Sequence, residues 1–244
     1  MVNLKALFKS KSIMIFDMDG TLIDSVGVWN AVDETFIQTI RHDGSTMIKE
    51  DIQTNRDRVI TENHDQPDPY GCYFLYLKDL YHSDYDLDQL HALRYKIADD
   101  YLKNRIDYKP GADTFIKLLK AKGYHLAIAT TTKKRNMDIY RFENPLIQTK
   151  ANIDDCFDVV YTREDASRIK PDPMVYEMVK SFYGCTSEDC LVFEDSLIGI
   201  TAANAAHMDS IVIEDRYSDR DRDQLNQLCS ASVSNYQVLI DALE

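Results

Sequence analysis

The sequence predicts an α/β protein: a Rossmann-like, doubly wound parallel sheet with an inserted α-helical domain. In the second half of the chain, short apolar runs of strand length alternate with stretches of helical periodicity, which is typical of a parallel sheet with helices on both faces. The stretch from Val28 to Arg105 shows helical patterns only, and it follows the first predicted strand. An α/β core interrupted by a small helical domain accounts for both observations.

The first predicted strand is the apolar run Ile13 to Phe16, which ends at two carboxylates, Asp17 and Asp19. Residues two apart in an extended chain point the same way, and two like charges that close together are costly unless something neutralises them. Mg²⁺, which prefers oxygen ligands, would do so. Aspartates that merely end a strand in a turn are the alternative interpretation.

The inserted segment is predicted to contain four helices. The helix over Glu50 to Thr61 has the weakest pattern, and the other three follow apolar stripes at helical spacing: Trp29, Val32, Phe36 and Ile40; Tyr70, Tyr73, Phe74, Leu77 and Tyr81; Leu87, Leu90, Ile97 and Tyr101. The dense aromatic residues favour the core of a small helical domain over a substrate-lining wall. Arg56 and Arg58 fit either an anionic substrate or an exposed helix face.

After Lys109-Pro110-Gly111 the pattern alternates between helix and strand. Helices are expected over the apolar stripes of 112–119 and 175–182, with the first ended by Gly123. The acidic and basic run Glu214 to Asp223 is interpreted as a solvated loop. Further strands are predicted at Tyr124 to Ala129, Asp158 to Tyr161, Cys190 to Phe193 and Ser210 to Ile213.

Composition excludes several classes of protein. The 244 residues are 44% hydrophobic, which is ample for a packed interior, and the net charge of -13 disfavours nucleic-acid or membrane partners. Without a signal-peptide pattern or a long apolar run, we expect a cytoplasmic protein. Five cysteines with no C-x-x-C pair argue against a disulfide framework or a structural zinc site.

Polar residues follow three more of the predicted strands. Thr130 and Thr131 come after the second strand, Lys170-Pro171 shortly after the third, and Glu194-Asp195 after the fourth. Because the carboxyl ends of parallel strands meet at one edge of a sheet, these groups are expected to converge with Asp17. A helix cap or a surface lysine explains each one separately, but the joint occurrence favours a site.

In this order, Asp17-Met18-Asp19-Gly20-Thr21, Thr130, Lys170-Pro171 and Glu194-Asp195 resemble the four motifs of the haloacid dehalogenase superfamily. The chain is most similar to the branch of phosphoglycolate-phosphatase-like and β-phosphoglucomutase-like proteins, in which a helical cap follows the first motif. The resemblance implies a catalytic core of residues 1–23 and 108–244 and a cap of residues 24–107.

The resemblance also implies the chemistry: hydrolysis of a small phosphorylated metabolite. Asp17 would be the nucleophile that forms an aspartyl-phosphate, and Asp19 the general acid and base. Thr130 and the amide of Thr131 would bind phosphoryl oxygens, together with Lys170. Mg²⁺ would be held by the following groups: the Asp17 carboxylate, the Asp19 backbone carbonyl, Asp195, and Glu194 either directly or through water.

Two alternatives stay open. A sugar phosphomutase of the β-phosphoglucomutase type resembles this chain but carries a histidine twelve residues after the nucleophile, where this chain has Trp29. An indole cannot accept a proton in place of an imidazole, which favours the phosphatase. A regulator that only binds a phosphorylated ligand would not need the intact nucleophile. No obligate protein partner is indicated, and the substrate ester is left undetermined.

Overall fold

The computed structural model describes residues 3–41, 49–63 and 66–244 of the chain. The chain divides into two compact units, which we call the core unit (Met1–Ser25 and Ile106–Glu244) and the helical unit (Val26–Arg105). These limits lie two residues from the domain boundaries expected from the sequence. That the helical unit acts as a cap stays a prediction.

The described residues form six strands and thirteen α-helices. The strands are β1 Ile13–Phe16, β2 His125–Ala129, β3 Val159–Tyr161, β4 Cys190–Glu194, β5 Asp209–Ile213 and β6 Ala231–Val233. The helices are α1 Leu4–Lys9, α2 Val26–Ile40, α3 Lys49–Glu62, α4 Pro69–Tyr81, α5 Leu87–Asn104, α6 Ala112–Ala121, α7 Lys134–Phe142, α8 Pro145–Lys150, α9 Ile153–Cys156, α10 Met174–Tyr183, α11 Leu197–Ala205, α12 Arg222–Leu228 and α13 Tyr236–Leu243. None of these helices is long and apolar enough to cross a bilayer.

The core unit is built on one parallel sheet with the strand order β3-β2-β1-β4-β5-β6. Its central strands are apolar and buried because helices cover both faces of a parallel sheet. On one face Phe16 of β1 stacks on its register partner Phe193 of β4, with ring centroids 4.4 Å apart. The opposite face packs under α10 and α11 around Ile15, Ala127 and Val192. The expected α/β fold is thus confirmed.

The helical unit contains α2 to α5 and its own apolar cluster. This cluster includes Phe36, Tyr73, Phe74, Leu77 and Leu90, all of which are buried. Helix α4 is capped by Asp68, and α5 begins with a reciprocal capping box between Asp86 and Gln89. The aromatic residues therefore form a core, as the sequence analysis favoured, except that Tyr70 stays 45% exposed.

One sequence-based expectation needs correction, and two further features were not expected. The run from Glu214 to Asp223 is not simply a loop, because Arg216–Asp221 forms a 3-10 helix and α12 starts at Arg222. Strand β6 has no strong apolar signal and was not expected. The segment between β2 and β3 contains three helices, α7 to α9, that apolar periodicity did not indicate. All five cysteines are free thiols.

Candidate active site

The candidate site lies in the core unit, at the edge where β1, β2 and β4 end. Strand β1 pairs in parallel with both neighbours, and Phe16 is level with Ile128 and Phe193. The next residue, Asp17, continues the ladder by donating its backbone N–H to the carbonyl of Phe193 at 3.0 Å. The sheet register therefore brings Asp17 level with Glu194, which ends β4.

Lys170 joins these two carboxylates. Its Nζ donates to Asp17 Oδ1 and to Glu194 Oε1, both at 2.6 Å, and its side chain is only 3% exposed. The lysine comes from the segment between β3 and α10, and its peptide bond to Pro171 is cis. The expected convergence of the first, third and fourth motifs is therefore found at hydrogen-bond distance.

Glu194 is held by five donors. Besides Lys170, the hydroxyl of Tyr176 donates to Oε1 at 2.9 Å. The other oxygen, Oε2, accepts from the backbone N–H groups of Asp195 and Ser196 and from the Ser196 hydroxyl at 3.0–3.3 Å. Gly199 is required close by, since a Cβ at that position would lie 1.8 Å from Oε1. The carboxylate is therefore rigidly oriented.

Asp195 completes a cluster of buried carboxylates. Thr21 donates its hydroxyl to Asp195 Oδ1 at 3.0 Å. One oxygen each from Asp17, Glu194 and Asp195 lies within 4.8 Å of the others. Three buried carboxylates face one ammonium group, which leaves an excess of negative charge, and such oxygen-rich sites suit a hard divalent cation. The donor set therefore fits Mg²⁺.

Asp19 has hydrogen-bond partners different from those of Asp17. Ser25 donates to Asp19 Oδ1 at 2.5 Å, Tyr140 donates to the same oxygen at 3.4 Å, and Thr132 donates to Oδ2. The turn that follows Asp19 has Gly20 at φ +82°, a conformation that favours glycine. Asp19 is partly exposed.

The threonine segment after β2 is oriented towards Asp19. The hydroxyl of Thr130 is buried and shares a hydrogen bond of 2.9 Å with the Thr132 hydroxyl, and it also accepts the backbone N–H of Thr132 at 3.2 Å. Thr131 lies between them and is exposed. Phosphate binding by Thr130 and Thr131 stays a prediction.

Comparison with known proteins agrees with this geometry. The family profile described as "haloacid dehalogenase-like hydrolase" matches residues 12–207. The chain belongs to this family. Protein CbbY of Rhodobacter capsulatus is 27% identical over 219 residues, which cover 85% of this chain and 87% of the relative. The phosphorylated carbohydrates phosphatase of Thermotoga maritima is 25% identical over 198 residues, which cover 81% of this chain and 82% of the relative.

A solved structure supports the fold. A Thermotoga maritima protein, provisionally described as a beta-phosphoglucomutase, superposes with a TM-score of 0.72 at 21% identity, covering 94% of this chain and 97% of that one. The resemblance recognised in the sequence is thus confirmed. The prediction of an enzyme is also confirmed, because the family is one of hydrolases. The predicted class, a phosphoric monoester hydrolase, agrees with the phosphatase name of one relative.

Burial shifts the protonation of the site in this haloacid dehalogenase-like hydrolase. Desolvation raises the pKa of Asp17 to about 7, although Lys170 opposes the shift. Burial and the neighbouring carboxylates of Glu194 and Asp17 hold the pKa of Asp195 well above its usual value. Burial alone would lower the pKa of Lys170, but Asp17 and Glu194 outweigh it and raise that pKa. A bound cation would favour the ionised carboxylates.

Sequence reasoning missed four residues that position the site. Ser25 lies six residues after Asp19, and Thr132 two residues after Thr130, so their polar side chains were an available signal. Tyr140 and Tyr176 had no such signal, because tyrosines on amphipathic helices usually pack in a core. Their hydroxyls reach Asp19 and Glu194 only through the packing of α7 and α10 against the sheet.

Proposed function

We propose that the chain is a Mg²⁺-dependent phosphatase that hydrolyses a small phosphomonoester through an aspartyl-phosphate. The observation that carries the proposal is the buried set of Asp17, Glu194 and Asp195 around one lysine. A pure binding protein would gain nothing from a buried, lysine-oriented carboxylate beside two others, because those charges are costly to enclose.

Two displacements would make up the reaction. Asp17 Oδ attacks phosphorus, the ester P–O bond breaks, and Asp19 gives a proton to the leaving alcohol oxygen. Asp19 then accepts a proton from water as the water oxygen attacks phosphorus, and the bond from phosphorus to Asp17 breaks. Ser25 and Thr132, which donate to Asp19, keep its carboxylate oriented through both steps.

The remaining polar groups would stabilise charge. Lys170 balances negative charge between Asp17 and the phosphoryl group, and Thr130 and Thr131 bind phosphoryl oxygens. Mg²⁺, held by Asp17, Asp195, the Asp19 carbonyl and Glu194 directly or through water, would supply positive charge that offsets the repulsion between nucleophile and phosphate. Because Glu194 already accepts five hydrogen bonds, we favour contact through water for this residue.

Hydrolysis of p-nitrophenyl phosphate tests the proposal. We expect activity to require Mg²⁺, to stop in EDTA and to return when Mg²⁺ is added. Asp17→Asn should lower kcat by at least about 1,000-fold, since it removes the nucleophile. Asp24→Asn, a matched change at an exposed aspartate in the same segment, should leave kcat unchanged. Equal turnover by Asp17→Asn and the wild type would refute the mechanism.

A phosphatase, rather than a phosphomutase, is favoured by Trp29. This residue packs against Arg94 inside the helical unit, with Cζ 5.5 Å from the ring centroid, and an indole has no proton to exchange near neutral pH. Incubation with β-glucose 1-phosphate and a trace of the 1,6-bisphosphate separates the two activities. We expect inorganic phosphate to accumulate, whereas faster formation of glucose 6-phosphate would show a mutase. Phosphorylated carbohydrates are the first substrates to assay, given the name of one relative.

A further inference from the structure

Arg94, on α5 of the helical unit, is a buried arginine that is only partly used. Its Nε donates to Asp33 Oδ1 at 2.7 Å, and the side chain is 9% exposed. Within residues 3–41, 49–63 and 66–244 no protein acceptor lies at its two terminal nitrogens. Buried polar groups nearly always have a hydrogen-bond partner, so the free side of this guanidinium needs an explanation.

Asp33 does not supply that partner. Its second oxygen, Oδ2, accepts from Nη1 of Arg56 at 2.7 Å, so each of its two oxygens is bonded to a different arginine. Asp33 is fully buried and fixes Arg94 by its Nε side only. The opposite side of the fork, which carries the four N–H groups of the terminal nitrogens, is left for another acceptor.

The terminal nitrogens of Arg94 are not completely enclosed by the protein. In the described part of the chain, the fully enclosed side-chain polar atoms without a partner are Asn30 Oδ1, Tyr73 Oη and Ser210 Oγ. Arg94 is not among them, although it has no acceptor at these nitrogens, so its terminal nitrogens are not fully enclosed.

Aromatic side chains keep the guanidinium in place. Its Cζ lies 5.3–5.6 Å from the ring centroids of Trp29, Tyr70 and Phe74. Such cation–π contacts hold the planar group and limit its hydration. Little conformational entropy is then lost when a ligand binds, because the fork is already oriented.

We propose that Arg94 is an oxyanion-binding residue of the helical unit, which takes two oxygens of a carboxylate or phosphate group on its terminal nitrogens. A guanidinium fork matches the oxygen spacing of these groups in a bidentate arrangement. The site is distinct from the carboxylate cluster of the core unit, which has the opposite charge and attracts cations.

The lone tryptophan of the chain reports on this site. Trp29 is the only tryptophan and contacts Arg94, so its fluorescence should respond to an anion there. We expect sodium sulfate and sodium malonate to change the emission with saturation, and sodium chloride at equal ionic strength to leave it unchanged. Asp17→Asn should titrate like the wild type, which separates this inference from the proposed function.

Variants of matched charge decide whether Arg94 is responsible. Arg94→Lys keeps a cation beside Asp33 but lacks the fork, and Arg94→Gln lacks both, so sulfate binding should weaken at least about tenfold in each. Arg58→Gln, at an exposed arginine of the same unit, should bind like the wild type. If the circular dichroism spectrum shows that Arg94→Gln is unfolded, the sulfate titration of Arg94→Lys is used to test the proposal. Unchanged titration in Arg94→Lys, or an equal response to chloride, would overturn the proposal.

Discussion

The two units each enclose charged side chains, and the part of each that has no partner among the described residues differs in sign. In the core unit the carboxylates of Asp17, Glu194 and Asp195 face the single ammonium of Lys170. In the helical unit the carboxylate of Asp33 pairs with the guanidinium groups of Arg56 and Arg94. Arg56 makes further interactions, whereas the terminal nitrogens of Arg94 have no described protein partner.

This difference teaches that the charge of the buried groups without a protein partner indicates the opposite charge of the ligand. Enclosed charges are costly unless they are paired, so a persistent excess implies a partner outside the chain. The core cluster suits a cation and the helical cluster an anion. Charge composition alone, with a net charge of -13, does not reveal the second site.

Removal of the cation from each cluster tests this contrast most directly. Lys170→Met leaves two buried carboxylates uncompensated and should lower the free energy of unfolding by about 3–5 kcal/mol. Arg94→Met should cost only about 1–3 kcal/mol, because Arg56 still neutralises Asp33. Urea unfolding measures both values. Mg²⁺ should restore part of the loss in Lys170→Met and none in Arg94→Met, and equal rescue of both would contradict the contrast.

The position of the Glu194 carboxylate depends on the absence of a side chain at Gly199, so we expect one added methyl group to lower kcat strongly. Gly199→Ala would place a Cβ 1.8 Å from Glu194 Oε1 and push that carboxylate away from Lys170. We expect kcat to fall by about 10–100-fold, as two charged hydrogen bonds are disturbed. Ile198→Ala changes the neighbouring, exposed residue and serves as the control. Similar kcat values for these two variants would show that Glu194 can move freely.

The clusters should differ in pH dependence. The pKa of Asp17 is raised from 3.8 to about 7 when the protein is folded. Between these two pH values, the metal-free folded protein therefore keeps a proton on Asp17 that the unfolded chain has released. This stabilisation is complete below pH 3.8 and is lost as the pH rises through about 7. The metal-free Tm should therefore fall from pH 5 to pH 8.

Two variants and one addition check the origin of that pH dependence. Asp17→Asn and saturating Mg²⁺ should each reduce the fall in Tm. The variant has no carboxyl group that could titrate at this position, and bound Mg²⁺ keeps the Asp17 carboxylate ionised in the folded protein. Arg94→Met should retain it. A slope that is the same in Asp17→Asn as in the wild type would assign the effect to another group.

The smallest expected effect compares two buried tyrosine hydroxyls. Tyr176 donates to Glu194 at 2.9 Å, whereas Tyr73 Oη has no partner among the described residues. Tyr176→Phe should lower the free energy of unfolding by about 1 kcal/mol or more and weaken the binding of Mg²⁺, while Tyr73→Phe should change neither. Chemical denaturation and calorimetric Mg²⁺ titration measure these quantities, and a loss of stability in Tyr73→Phe would reveal a partner for that hydroxyl.

Most of the core could be predicted from the sequence because its signals are local. The apolar runs predict β1 to β5 to within about a residue, and the polar residues that follow them converge because parallel strands share one edge. Strand β6 and the 3-10 helix Arg216–Asp221 could not be predicted. Strand β6 has only three residues and the 3-10 helix is short and polar, so neither carries a periodic apolar pattern.

By itself, the sequence determined the α/β fold, the helical insertion and the convergence of Asp17, Lys170 and Glu194, since periodicity and strand-end position are properties of neighbouring residues. Only the tertiary structure decided which side chains complete each cluster. Arg56 fitted a substrate contact or an exposed face equally well, yet it and Arg94 pair with the buried Asp33. Tyr176 resembled a core residue but bonds to Glu194. These partners lie far apart in the chain, and the hydrogen bonds between them exist only once packed helices bring them together.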